Sequence, residues 1–277
     1  QVYAAIFVCL VTRAIHIEVV TDTTADALIV AVLCFISRRG LPSAIYSDNG
    51  PNMIGANNSL ALDEEKLKSF AANERFEWHF IPPASPHFGG IWEAGVKTTK
   101  WHLHAASKDH PLSIVEFGNL FWRIEAILNS RPLCYKEDAE QGSEVITPAH
   151  FLVGSSLLSL PVLDHSDNIR SSNRLQLMRN QINGFWNVWY RDYISQLQQR
   201  VRWTSRETNL RPNQIVLIKS KEEKPFQWPL GRILRVFPDK DGQVRIAEVL
   251  FRGRSKIRAI TSLVPLVEEK DFADFVK

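Results

Sequence analysis

Two carboxylates stand out by their settings. Asp48 follows a short run of strand length, Ala44–Ser47, and opens the turn Asp48-Asn49-Gly50-Pro51. Glu93 lies just after the Pro- and Gly-rich stretch 82–90, in the first turn of a helix expected from Ile91 to about Ala106. Open α/β sheets carry ligands at the carboxyl ends of their strands. A helix N-terminus favours the ionised carboxylate that binds metal. Two carboxylates on different elements suit a hydrated Mg²⁺ site. Paired ions ~3.5–4 Å apart would stabilise the attacking and leaving oxygens of an in-line phosphoryl transfer. Taken singly, Asp48 reads as turn chemistry and Glu93 as helix-start electrostatics. Glu93, Lys97 and Lys100 share one helix face at i, i+4 and i+7. That stripe could hold metal and then track phosphates. It could equally be an intrahelical Glu–Lys pair worth ~0.3–0.5 kcal/mol.

The elements that must position these groups can be read from periodicity. Val2–Leu10 and Ala14–Val20 read as a hairpin turning at Thr12-Arg13. Thr21–Thr24 offers caps for a helix over Ala25–Arg38, ended by Gly40 and Pro42. A strand over Ala44–Ser47, a helix over Ser59–Asn73, a strand over Glu77–Ile81 and a helix over Ser113–Asn129 complete an α/β layout. Arg131–Asp167 is mixed. Arg174–Trp203 is a long helical stretch, broken or bent near Gly184. Gln214–Lys219, Gly231–Phe237, Val244–Phe251 and Lys256–Ile260 then read as the short strands of a small antiparallel β-barrel, with turns at Asp241-Gly242 and Arg252–Ser255.

The chain has 277 residues, enough for roughly two domains at ~150 residues each. Its 45% hydrophobic and 23% charged residues exclude a largely disordered chain, a collagen and a coiled-coil rod. No apolar run approaches the ~18 residues of a membrane span. Residue 1 is Gln, and no leader is evident, so a fragment, a processed product or an excised piece is expected. Cys9, Cys34 and Cys134 fit buried thiols of a reducing compartment better than disulfides. Net charge is only +3, but Arg200–Arg258 holds 15 Lys and Arg against 6 Asp and Glu. A polyanion partner and a solvated β surface explain that excess about equally well.

Several motifs then combine. Ser47-Asp48-Asn49-Gly50-Pro51-Asn52 and Pro83-Ala84-Ser85-Pro86-His87-Phe88-Gly89-Gly90-Ile91-Trp92-Glu93 resemble the catalytic core of retroviral and retrotransposon integrases. The His-Phe-Gly-Gly-x-Trp-Glu form is similar to the BEL/Pao class of long-terminal-repeat elements, as is Cys9–His16 near the start. Asn129–Leu133 and Thr147–Gly154 resemble the end of that core. Gln227–Ile233 resembles the domain that follows integrase in BEL/Pao polyproteins.

The resemblance implies a ribonuclease-H-like mixed sheet with flanking helices over residues 1–157, its first strand missing. A linker and long helix would occupy 158–205, and a small β-barrel 206–268. Asp48 and Glu93 match the second and third carboxylates of an Asp-Asp-Glu triad, separated by 44 residues, more than in typical retroviral integrases. Asn49, Gly50, Asn52, His87, Gly89 and Gly90 would form the active-site loops. The cofactor would be Mg²⁺ in a two-metal site, with Mn²⁺ as an alternative. The partners would be double-stranded DNA (element ends and target) and further copies of the chain, with no membrane role. The location would be intracellular, and nuclear when functional. Lys97 and Lys100, and Arg232, Arg235, Arg245, Arg252, Arg254, Lys256 and Arg258 of the barrel, would contact DNA phosphates. The first triad Asp would lie before this chain, since Asp22 and Asp26 read as caps and first-turn charges. The fragment is therefore expected to be inactive. The alternative is a non-enzymatic DNA- or protein-binding product of a decayed or domesticated element. His102 and His104 read as surface or satisfied polar residues rather than zinc ligands. Phe185, Trp186, Trp189, Tyr190 and Tyr193 read as a packing face of their helix, and Trp228 as barrel core.

Overall fold

A computed structural model describes residues 2–47, 59–80, 112–138, 142–157, 173–197, 209–220 and 224–268. The chain divides into two compact units, residues 1–125 and 126–277.

In the first unit, β1 (Tyr3–Val8) and β2 (Ile15–Val20) form an antiparallel hairpin. Arg13 takes a positive φ of 57° in its turn. Helix α1 (Ala25–Arg39) follows. The Thr24 hydroxyl accepts from the Ala27 N–H, and Asp22 Oδ1 accepts from the Thr24 N–H at 2.9 Å. These bonds satisfy donors that a helix start leaves open. Gly40, at φ 90°, closes the helix with its N–H on the Ile36 carbonyl. β3 (Ala44–Ser47), α2 (Ser59–Glu74) and β4 (Glu77–Phe80) form a right-sized crossover: β3 and β4 pair in parallel. α3 (Ile114–Asn129) begins with a capping box in which Ser113 and Glu116 bond each other's backbone N–H.

The first core is assembled from Val32 of α1, Leu67 and Ala71 of α2, Phe76, and Trp78 of β4. Phe7 of β1 and Ile45 of β3 pack against it. Strands from both pairs therefore share one helical layer. They do not share one ladder: β1–β2 and β3–β4 are separate two-stranded sheets.

In the second unit, β5 (Cys134–Asp138) and β6 (Gly142–Ile146) form a hairpin, and α4 (His150–Val153) is one short turn. Periodicity left this stretch unassigned. Helix α5 (Asn173–Leu197) passes through Gly184 as one element, so of the expected break or bend there the break is not observed. A Cβ at Gly184 would meet nothing within 4 Å, so no packing constraint acts at that glycine. β7 (Ile215–Ile218), β8 (Leu230–Pro238), β9 (Val244–Phe251), β10 (Arg254–Ala259) and β11 (Leu263–Pro265) form an antiparallel sheet in the order β10-β9-β8-β7-β11. The order is that of a five-stranded sheet with β10 and β11 at its ends. Arg252 and Gly253 both have positive φ in the β9–β10 turn, as a tight hairpin with right-handed strand twist requires. β12 (Val267–Glu268) pairs in parallel with β5. The sheet buries Val216, Ile218, Ile233, Ala247, Val249 and Leu263.

The thiols depart from expectation. None of the three is bridged to another, but only Cys134 is buried; Cys9 and Cys34 are exposed. No described helix is long and apolar enough to cross a membrane.

Candidate functional site

The parallel β3–β4 pair fixes a direction. Ser47 and Phe80, the last residues of the two strands, are register partners. The chain therefore leaves both strands at the same, carboxyl, end of the pair. Asp48 is the next residue after Ser47, and Glu93 comes 13 residues after Phe80 in sequence. The strand end is held firmly. The Trp78 indole N–H donates to Ser47 Oγ at 3.0 Å, and Trp78 stacks on Phe80 with ring centroids 6.1 Å apart. Lys68 of α2 sits 5.4 Å over the Phe80 ring. Asp48, Asn49, Gly50, Asn52, His87, Gly89, Gly90, Glu93, Lys97, Lys100, His102 and His104 themselves lie outside the described residues. As donors, two carboxylates are hard oxygen ligands that suit Mg²⁺ or Mn²⁺.

Asp22 and Asp26, the acids that follow β2, are engaged. Asp22 accepts from Thr24, which holds its carboxyl below the usual range. Asp26 pairs with Lys66 at 2.6 Å. Among the described residues, no group of three or more His, Cys, Asp and Glu is placed to hold a metal ion.

A buried polar network was not found by sequence reasoning. His16 of β2 and Glu125 of α3 are both buried, at 3% and 5% exposure. Glu125 Oε2 accepts from the Ile17 N–H at 2.9 Å, and Oε1 accepts from Arg39 Nη2. Burial pushes the Glu125 carboxyl up, but the His16 contact, the Ile17 N–H and the Arg39 charge outweigh it and hold it below its ordinary value. His16 Nε2 lies 2.7 Å from Glu18 Oε1, which also accepts from Arg38 at 2.8 Å. The available signal was a lone acid amid the apolar residues of α3, Leu120-Phe121-Trp122-Arg123-Ile124-Glu125-Ala126-Ile127.

The seven basic residues of the second sheet do not form one patch. In the antiparallel register Arg254, Lys256 and Arg258 stand opposite Phe251, Val249 and Ala247. They therefore share one side of edge strand β10, the side on which β9 buries Val249 and Ala247, in steps of ~6.8 Å. Arg232 and Arg235 stand opposite Leu250 and Glu248, on the other face. Arg235 lies 3.6 Å from Glu248 across the strands. Arg245 is engaged by Asp239 and Asp241 of the β8–β9 turn, which raises its own pKa and lowers that of Asp241. Arg252 lies over the Phe251 ring at 4.8 Å.

The aromatic stripe of α5 is a packing face. Phe185, Trp186, Trp189 and Tyr190 are buried. The Trp228 ring lies 5.2–5.7 Å from those of Trp186, Trp189, Tyr190 and Tyr193. Its N–H donates to Ser130 Oγ at 3.2 Å. Tyr190 and Tyr193 donate to the Ile218 and Pro132 carbonyls. Burial pushes the Tyr193 hydroxyl pKa up.

Residues 173–266 match a family model described as "Family of unknown function (DUF5641)". That range begins at α5 and contains all five strands of the large sheet. No curated protein matches the chain. Among solved structures, one similar chain belongs to a simian T-cell lymphotropic virus intasome in complex with PP2A regulatory subunit B56 gamma. It is 12% identical, with a TM-score of 0.39, over 97% of this chain and 77% of that one. Another is the catalytic core domain of BIV integrase: 17% identical, TM-score 0.37, over 55% of this chain and 85% of that one. At these TM-scores the likeness does not define a fold.

Proposed function

We propose that this chain is the integrase portion of a BEL/Pao-type retrotransposon polyprotein, with a ribonuclease-H-like core and a C-terminal barrel. In this reading Asp48 and Glu93 ligate Mg²⁺. The bound ions would supply activation of water for trimming element-DNA ends, then stabilisation of the charge that develops as a 3′-hydroxyl attacks a target phosphodiester. Lys97 and Lys100 position DNA phosphates, and further copies of the chain complete the assembly, in the nucleus. The observation that carries this reading is the Ser47–Phe80 register, which starts the two carboxylate-bearing segments from the same carboxyl end of the strand pair. The motifs around those segments supply the reaction class.

Two carboxylates alone hold Mg²⁺ weakly, so the 277-residue chain by itself is proposed to be inactive in strand transfer. The engagement of Asp22 and Asp26 in capping and an ion pair favours a second reading, a non-enzymatic DNA- or protein-binding product.

DNA contacts are assigned first to Arg254, Lys256 and Arg258, which are spaced in one row along the edge strand β10. Arg232, Arg235 and Arg252 are secondary, and Arg245 serves its turn. The test is duplex binding by the full chain across a salt series. Replacing the three β10 residues with Gln should weaken binding at least ~10-fold at low salt and reduce the salt slope by about 2–3. Arg245→Gln should change neither. Equal effects from both variants, or a flat salt response in the parent chain, would overturn the assignment. Mg²⁺-dependent strand transfer by this chain that Asp48→Asn abolishes would overturn the proposed inactivity.

A further inference from the structure

His16 sits where one ring nitrogen faces both a donor and an acceptor. The Arg39 Nε–H donates to His16 Nδ1 at 3.1 Å. Glu125 Oε2 lies 3.6 Å from the same nitrogen. The opposite nitrogen, Nε2, contacts Glu18 Oε1 at 2.7 Å. A carboxylate only accepts, so Nε2 must carry the proton on the Glu18 side. Nδ1 must then be bare, because it accepts from arginine. This arrangement corresponds to a neutral imidazole with its proton on Nε2.

We propose that His16 is a proton-operated clasp that exchanges Arg39 for Glu125 at Nδ1. When Nδ1 takes a proton from solvent, an N–H faces the Arg39 N–H and that bond breaks. The new Nδ1–H turns to Glu125 Oε2, the acceptor already beside it. Arg39 keeps its Nη2 bond to Glu125 Oε1. The neighbouring charges are those of Glu18 on the same strand, Arg38 and Arg39 on α1, and Glu125 on α3. Two acids and two arginines balance with neutral His16, so protonation leaves the cluster with one net positive charge. The surrounding rings are those of Phe7 of β1 and Phe35 of α1, at 5.9 and 5.4 Å from the imidazole. They offer no hydrogen-bonding substitute for the lost partner.

The consequence is mechanical. Arg39 is the last residue of α1. Its Nε bond ties that end directly to β2, and its Nη2 bond ties it to α3. Acid removes the first tie and leaves the second. Because Glu125 Oε2 also holds the Ile17 N–H, the new His16 contact draws on the acceptor that anchors β2. This device stands independently of the proposed function.

The test is nuclear magnetic resonance on the full chain with ¹⁵N-labelled His and Arg, from about pH 8 to about pH 5. At the alkaline end, His16 should show protonated Nε2 and bare Nδ1. As His16 takes its second proton, the protection of the Arg39 Nε–H, the factor by which its exchange is slowed relative to free arginine at the same pH, should fall by about tenfold or more. His16→Asn, whose amide oxygen replaces the Nδ1 acceptor, should protect Arg39 Nε at every pH in that range. A protonated Nδ1 at the alkaline end would overturn the proposal. So would Arg39 protection that ignores His16 protonation, or that still changes with pH in His16→Asn. The tautomer is read on the unaltered chain, so a poorly folding variant leaves the proposal testable.

Discussion

Ser47 and Phe80 face each other on the last rung of the parallel β3–β4 ladder. One precedes the first candidate carboxylate directly; the other begins the run that leads to the second. Trp78 stitches the rung from its own strand by donating to Ser47. Ser47→Ala keeps the indole but removes its acceptor. Loss of one part-buried hydrogen bond should cost about 1 kcal/mol. The urea midpoint read by hydrogen exchange at Ile45 and Tyr46 is the measurement, and an unchanged midpoint would mean that the bond contributes nothing.

Glu125 predicts a pH dependence. Its folded pKa is depressed, so the unfolded carboxyl binds protons more readily. The stabilisation is then present above the unfolded value and is lost as pH falls through the folded one. Glu125→Gln should destabilise the chain by about 3 kcal/mol near neutrality, because Arg39 loses its buried partner. The gap between variant and parent should narrow as the solution is acidified. Exchange at the Ile17 amide, which Glu125 Oε2 accepts, reports it locally.

Trp228 closes the aromatic face of α5. Trp228→Ala should cost about 3 kcal/mol or more in urea unfolding, from lost contacts with four rings and from the cavity left behind. A loss under about 1 kcal/mol would show that the α5 rings pack without it.

Gly231 is a close-approach glycine. A Cβ there would lie 2.5 Å from Val249 Cγ1 and 3.0 Å from Ile218 Cδ1. Gly231→Ala should therefore destabilise the second unit by about 1–3 kcal/mol. Adding Val249→Ala removes the nearest obstacle, so the double variant should be more stable than the sum of the two single losses predicts.

Much of the fold was legible because period and caps agreed. The Thr24 cap, the Gly40 stop, the Ser113–Glu116 box and the four strands from Ile215 to Ala259 all carry local signals. The β5–β6 hairpin was not legible, since Lys136, Glu137, Asp138 and Glu144 dilute its alternation. Gly184 suggested a break, yet the apolar face of α5 overrode one unfavourable residue. The His16–Glu125 contact joins residues far apart in sequence, and no local period encodes it. The basic residues were legible as an excess of charge. Their division between two faces required the strand register, and the engagement of Arg245 required the turn geometry.

The most direct test of the central claim is Mn²⁺-induced line broadening across the backbone amides of the full chain. Broadening should centre on the amides at the ends of β3 and β4, Ser47 and Phe80 foremost, and should disappear in Asp48→Asn and in Glu93→Gln alike. Broadening centred elsewhere, or unchanged in either variant, would contradict a cation shared between Asp48 and Glu93.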